Sequence, residues 1–519
     1  MKKYLAILPV LVFTAWNLSA QCPEGAVQLR TQAEIDAFGA TYPNCTALDG
    51  GLYIGPNSGS SDISNLSGLA SLNSVAGDLQ IALTAGLLNL DDIAGLDAVS
   101  GDLTISANPA LENVDALAGI TTLGGDLRIG YNESLTNLDG LSDLTSVGRN
   151  VFITSNTALT DLDGLASLTF IGDNLGIYSN TVLENVNGLS ALDTIVGGLE
   201  ISTNSALTDL SGITGIVYLG EKLRITENDL LTAIPGPLSI DYVPWGIWIS
   251  DNAALTSLEG LSSLTAVGGE LLIIGNSSLV DLNGLEGITT IGGNLEIGSN
   301  DILVDLSALS GLQSIGYNLL IGYNDVLTNL DGLEGLTSVG INLKIFYNNA
   351  LTNLDGLSGV TSMGGELSLF SNETLTDING LANIAASSIT ELQISFNDQL
   401  SDCAIQSICD YLEVEDNETS FFLNAPGCQL RSQVEEACLV PTTDIAETDI
   451  ELFPNPTSDR LQLKNIVPER VDVFTAAGQR VAHFQGGTSE IDLGQLPAGL
   501  YVIHLIATDG TYVARVVKE

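Results

Sequence analysis

The amino-acid sequence predicts a mainly β chain: a long solenoid of stacked parallel coils with disulfide-stapled caps, followed by a small antiparallel β sandwich. Three observations carry this. The slot occupied by Leu127 recurs every 24 residues, at Leu79, Leu103, Val151, Leu175, Leu199, Leu223, Ile247, Leu271, Leu295, Leu319, Leu343 and Leu367. Within each unit an apolar pair two residues apart has strand periodicity, while the later apolar residues step by three. Beyond about residue 450 the period is gone and short alternating strands replace it. Self-similarity at a fixed period of this size signals coils that hide their apolar edges only against their neighbours.

The chain begins with Lys2 and Lys3, an apolar run from Tyr4 to Phe13 and small residues ending at Ala20, so residues 1–20 read as a cleaved secretory signal. Leu18-Ser19-Ala20-Gln21-Cys22 also resembles a bacterial lipoprotein box, with Gln21 where a small residue belongs; a lipidated Cys22 is the lesser reading. No later apolar run is long enough to span a bilayer. Composition fits thin stacked coils: 45% hydrophobic, only 5% aromatic, and 55 glycines in 519 residues. With 15 basic against 63 acidic residues the formal charge is −48, which repels phosphate backbones and anionic lipid. Nucleic acid is excluded as an expected partner.

Residues 21–50 are the expected N-terminal cap. The six cysteines lie outside the repeats, Cys22 and Cys45 before them and Cys403, Cys409, Cys428 and Cys438 after. An even number at the ends of an exported solenoid reads as stapled caps. Cys22–Cys45 is the expected first pair, and the last four leave three arrangements open. A metal reading lacks histidine, because His483 and His504 lie far downstream.

The solenoid is expected over 51–400, with an irregular first copy at Leu52 and a one-residue slip to Leu392. Counting Leu127 as zero, offset +2 is Ile129, Ile153, Ile177 and Ile201 in successive units, so each coil opens with a short parallel strand. Offset +8 is leucine in every regular coil, and +11, +14, +17 and +20 are mostly apolar; steps of three suit a tight return path. Glycines at +13, such as Gly140, Gly164 and Gly188, sit beside Asp or Asn and mark turns of positive φ or close approach. Offset +5 is Asn108, Asn132, Asn156, Asn180, Asn204, Asn228, Asn252, Asn276, Asn300, Asn324, Asn348 and Asn372, with Thr84 as the exception. An amide repeated in one slot is expected to form a structural ladder that satisfies backbone groups between coils.

These residues carry a family resemblance. Leu-x-Ile-x-x-Asn-x-x-Leu-x-x-Leu resembles the leucine-rich-repeat signature, and Leu-x-Gly-Leu-x-x-Leu-x-x-Ile-Gly-Gly-x-Leu-x-Ile is similar to the receptor L-domain repeat. The resemblance implies a right-handed parallel β solenoid over about 51–400 that presents a surface to other molecules. Some fourteen coils at about 4.8 Å per strand give a rod roughly 65 Å long.

Three features stand out as candidate sites. Late coils place Tyr323 and Tyr347 at +4, with Phe396 continuing that set, and Phe346 and Phe370 at +3, so the rings fall on neighbouring rungs. Such a patch either binds sugar rings or a protein partner, or braces the sheet. One coil departs in chemistry but not length, from Ile234-Pro235-Gly236-Pro237 to Tyr242-Val243-Pro244-Trp245-Gly246-Ile247-Trp248. Tyr242, Trp245 and Trp248 there are either a recognition loop or a packed junction. Finally, Asp139, Asp161, Asp163, Asp281, Asp305, Asp331, Asp355 and Asp377 form an acidic row at +10 and +12. Without a dense calcium-loop motif it reads as a solvated turn row. The solenoid has no histidine or cysteine, so no triad or usual zinc site is expected, and no cofactor is implied.

Residues 401–439 read as a helical, cysteine-containing C-terminal cap, with helices near Cys403–Leu412 and Gln429–Cys438, and 440–449 as a linker. Strands near Arg460–Lys464, Val471–Thr475 and Tyr501–Ile506 then build the sandwich. This region resembles the type A C-terminal sorting domain of the type IX secretion system of Bacteroidetes. The landmarks are Leu452-Phe453-Pro454-Asn455-Pro456, Phe474-Thr475-Ala476-Ala477-Gly478-Gln479, Ile491-Asp492-Leu493 with Leu496, Gly499-Leu500-Tyr501 and Val516-Val517-Lys518. The resemblance over 450–519 implies engagement of the type IX machinery and delivery to the outer surface or the medium. The expected function is a surface-displayed or released binding and adhesion protein with a glycan or protein ligand and no catalysis. The alternatives are a structural rod with no discrete ligand site and an extracellular polysaccharide-degrading enzyme.

Overall fold

The computed structural model describes residues 22–439 and 451–519, apart from 465, 476–478, 488 and 508–509. The expected signal at 1–20 and linker at 440–449 lie outside the described residues. The register slots stack: Val151 pairs with Leu127 on one side and Leu175 on the other, and Ile153 with Ile129 and Ile177. Residues at zero and +2 are buried and those at +1 point to the opposite face, the period-two pattern of a strand with one side in the core.

These strands form one parallel sheet of 17. Sixteen steps of about 4.8 Å make it about 77 Å long. It runs past 51–400 at both ends, because Val27–Leu29 pairs with Leu52–Ile54 and Glu418–Phe422 pairs with Glu391–Ser395. The caps are coils in which helices take over the return path: α1 (Gln32–Thr41) in the first, α2 (Gln406–Leu412) and α3 (Arg431–Cys438) at the end. Disulfides close them as Cys22–Cys45, Cys403–Cys428 and Cys409–Cys438.

The steps of three have a direct cause. After the strand most coils make a single 3-10 turn, such as Asp139–Leu141, whose three residues per turn carry Leu138, Leu141 and Leu144 into the core together. The side chain at +10 caps this turn: Asp161 Oδ1 accepts the Asp163 N–H at 3.1 Å, and Asp305 Oδ1 accepts that of Ser307 at 2.7 Å. At +13 close approach, rather than positive φ, is what most coils require. A Cβ on Gly164 would stand 1.9 Å from the Leu138 carbonyl oxygen.

The asparagines form a continuous buried ladder. Asn132 Oδ1 accepts the Asn108 N–H at 3.2 Å, and Asn132 Nδ2 donates to the Ile105 carbonyl at 3.0 Å and to Asn156 Oδ1 at 3.1 Å. The pattern repeats through Asn372 and continues to Asn397 and Asn424, with Thr84 Oγ1 donating to Asn108 Oδ1 at the other end. Just before each asparagine the chain leaves the strand through a left-handed residue. Non-glycine residues from Leu83 to Leu423 hold φ between 54° and 61° there, Tyr323, Tyr347 and Phe396 among them. Left-handed backbone costs an L-residue roughly 1–2 kcal/mol, and the amide that follows offsets it by satisfying two coils.

Two-residue strands such as Ser146–Val147 line the opposite flank and pair in parallel into sheets of eight and five. The cut lies between Tyr218–Leu219 and Tyr242–Val243, and Pro244 explains it. At +21 the backbone N–H donates to the +20 carbonyl of the preceding coil, as Gly220 does to Ile195 at 3.1 Å and Gly268 to Val243 at 2.9 Å. Proline has no N–H to offer Leu219. The long sheet passes this coil intact, with Lys222–Thr226 paired to Gly246–Ser250.

One apolar core extends from Val27 to Val434, and a second belongs to the C-terminal region. There, antiparallel sheets of three and four strands share inward residues including Leu461, Val473, Ile491 and Ile503.

Candidate binding surface on the long sheet

Charge is sorted by flank. Between 51 and 400 the only basic residues are Arg128, Arg149, Lys222, Arg224 and Lys344. Four of them lie on strands of the long sheet, and Arg149 sits two residues before Val151. Each is ion-paired: Arg128 with Asp102 and Asp126, Arg149 with Asp126, Lys222 and Arg224 with Glu200, and Lys344 with Glu366. The return path carries acids and amides without cations, so the outward face of the long sheet is the chemically mixed surface of the solenoid.

A second row of short side chains edges this face one residue before each register slot. Asp78 Oδ1 accepts the Asp102 N–H, Asp102 that of Asp126, Asp126 that of Asn150, and Asn150 that of Asn174, at 2.8–3.2 Å. Asp126 is fully buried. Burial alone would raise its pKa, but the Asn150 backbone and side-chain amides, Arg128 and Arg149 hold it below the usual carboxylate range. The row lapses at Gly198, Lys222, Gly246 and Glu270, then resumes at Asn294, Asn318 and Asn342.

The late aromatics form a stack along the rod. Tyr323 and Tyr347 lie 4.8 Å apart and 11° from parallel; Phe370 meets Tyr347 edge-on at 5.3 Å, and Phe396 meets Phe370 at 5.1 Å. Phe346 packs edge-on against Tyr323 at 5.6 Å. Phe422, which the sequence reading missed, extends the stack at 5.0 Å from Phe396. One pair of these rings is stacked face to face and the others meet edge to face, so each ring is braced by a neighbour.

The divergent coil does not gather its three aromatics. Tyr242 lies on a two-residue strand of the opposite flank, Trp245 on the bend between flanks, and Trp248 on the outward face of the long sheet beside Arg224. Trp245 is 60% exposed. Trp248 ends a strip that the sequence reading did not assemble. Phe152 and Tyr178 lie 6.3 Å apart, and the Tyr178 ring crosses Gly176, where a Cβ would approach it to 2.2 Å. The Tyr178 hydroxyl is hydrogen-bonded to Glu200; burial first, then that carboxylate, raise its pKa well above the usual phenol value. Lys222 Nζ and Arg224 Nη1 each reach one Glu200 oxygen at 3.2 Å. The cue was available in the sequence: Lys222 and Arg224 bracket a register leucine in a solenoid nearly empty of cations.

Among the described residues, no three His, Cys, Asp or Glu side chains are grouped to hold a metal, and no helix is long and apolar enough to cross a membrane. In the C-terminal region both histidines flank buried Asp472 on neighbouring strands, and His483 Nδ1 lies 2.8 Å from its Oδ1.

A family model described as a secretion system C-terminal sorting domain matches residues 451–519. No curated protein matches the chain. The sorting domain marks a chain exported by type IX secretion to the cell surface or the medium, and implies interaction with that machinery.

Proposed function

From this export route, we propose that the solenoid is a surface-displayed or released binding and adhesion module of the leucine-rich-repeat or receptor L-domain kind. It presents the outward face of its long sheet to a glycan or protein ligand. The observation that carries the reading is the confinement of the five solenoid cations to that face or its edge, together with Trp248 and the late aromatic stack, in a chain of formal charge −48. Discrete mixed chemistry on one flank of an otherwise acidic rod is what recognition requires and mere spacing does not. The reading includes no catalysis: the coils hold no histidine, and no cysteine is free among the described residues.

The test is an array of glycans and cell-surface proteins probed with the full chain and with a triple Trp245→Ala, Trp248→Ala, Tyr347→Ala variant. Ligand capture that the triple variant loses supports the reading. Capture that survives undiminished favours a structural rod, and reducing-sugar release from the arrayed glycans would revive an enzyme.

A further inference from the structure

We propose that the Trp248 end of the mixed strip binds a single carboxylate-bearing sugar within an otherwise neutral glycan, an inference that rests on the ligand-binding reading above. Lys222 and Arg224 share one carboxylate, Glu200, leaving one positive charge in excess. The other ion-pair groups of the solenoid balance: Arg128 and Arg149 stand against Asp102 and Asp126, and Lys344 against Glu366.

Arg224 offers Nη1 to Glu200, and its Nε and Nη2 carry no hydrogen bond among the described residues; its side chain is 43% exposed. A guanidinium edge left open in this way fits a planar carboxylate through two parallel N–H donors. The guanidinium is also pre-oriented. Tyr178 fixes Glu200 from the far side, and Gly198 lets the Lys222 stem cross, since a Cβ there would stand 2.7 Å from Lys222 Cγ.

Trp248 sits on the next rung from Arg224, and Trp245 precedes Gly246, the strand partner of Lys222. Neither indole packs against another ring among the described residues, unlike the late stack. No ring competes for either indole, and Trp245, 60% exposed, offers its surface to the C–H face of a sugar. Three interruptions coincide here: the lapse in the edge row, the Pro244 cut in the short sheets, and the only two tryptophans of the solenoid.

Charge sets how many acids the ligand carries. Screening confines the attraction to about 8 Å at physiological salt, so one carboxylate beside Arg224 is held while further ones meet the acidic surroundings. A neutral chain bearing one acid gains without that loss; a polyuronate does not.

Calorimetric titration of the full chain uses xylotetraose, the same chain bearing one glucuronate branch, and tetragalacturonate. The singly acidic chain is expected to bind at least tenfold tighter than its neutral parent and tighter than tetragalacturonate. Arg224→Met should abolish that ratio, and Trp248→Ala should weaken both xylose chains alike. Glu200→Gln frees both cations and should tighten binding of the acidic chain, an outcome misfolding cannot mimic. Equal affinity for acidic and neutral chains, or a ratio that survives Arg224→Met, overturns the inference. If neutral glycans or proteins still bind and Trp248→Ala removes them, the broader reading stands without it; if the array captures nothing, both fail.

Discussion

Replacing Asn276 with alanine tests an inner, fully buried rung of the ladder. Its Nδ2 donates to the Ile249 carbonyl at 2.9 Å, the Ile274 carbonyl at 3.2 Å and Asn300 Oδ1 at 3.4 Å, while its Oδ1 accepts the Asn252 N–H at 3.3 Å. Alanine strands the Asn252 N–H in a site with no solvent access and takes the side-chain donor from the Ile249 carbonyl, which keeps its partner in the parallel ladder. At about 1–3 kcal/mol for the stranded buried group and about 1 kcal/mol for the lost bond to the Ile249 carbonyl, the loss is about 2–4 kcal/mol. Asn349, exposed and with its side chain bonded to Asp325 Oδ1 at 2.8 Å, is the control, with an expected change under about 0.5 kcal/mol. Because coils interact with nearest neighbours, the damage should be local. Urea unfolding followed by circular dichroism gives the total, and hydrogen exchange should show lost protection concentrated around residues 249–300. Equal stability of Asn276→Ala and Asn349→Ala, or loss of protection spread evenly over the rod, would refute the ladder as a main source of cohesion.

Three further outcomes follow from the geometry. Asp126 has a depressed pKa, so its folded form binds fewer protons than the unfolded chain; its contribution is complete above the ordinary carboxylate pKa and is lost as pH falls through the lower folded value. Asp126→Asn, which copies Asn150 one coil later, should flatten the loss of stability measured between about pH 4 and pH 2. Replacing Cys22 and Cys45 with serine reopens a 23-residue separation, worth about 3 kcal/mol by loop entropy, and calorimetry should show the first coils melting ahead of the rest. Pro244→Val, which installs the residue that Val196 supplies at the same offset, should restore the hydrogen bond to Leu219; exchange would find a protected amide at 244 and stability higher by about 1 kcal/mol.

The period, the buried pairs such as Val151 and Ile153, and the asparagine slot were legible because each recurs at constant spacing and burial dictates residue type there. Phe422 and Asn424 were not, because the last rung follows Leu392 by 27 residues rather than 24 and lies among cysteines that read as a helical cap. The edge row escaped notice for another reason. Aspartate gives way to asparagine after Asp126 and the row breaks at Gly198, so its members looked like scattered surface acids. The acidic row at +10 was visible, but that it caps turns is shown only by hydrogen bonds such as those from Asp163 to Asp161 and from Ser307 to Asp305. The mixed strip needs Phe152, Tyr178, Glu200 and Arg224 to be seen as neighbours although successive members lie 22–26 residues apart, which stacking alone supplies.

The gap left by Pro244 has a mechanical side. A rod braced along both flanks bends stiffly, but here one brace is whole and the other is severed between Leu219 and Tyr242. Load from flow or a tethered neighbour therefore concentrates its curvature at that joint, with the unbroken flank as the hinge line. The tryptophan of that flank rides directly on the line, so a tug on the rod is felt first where the grip is.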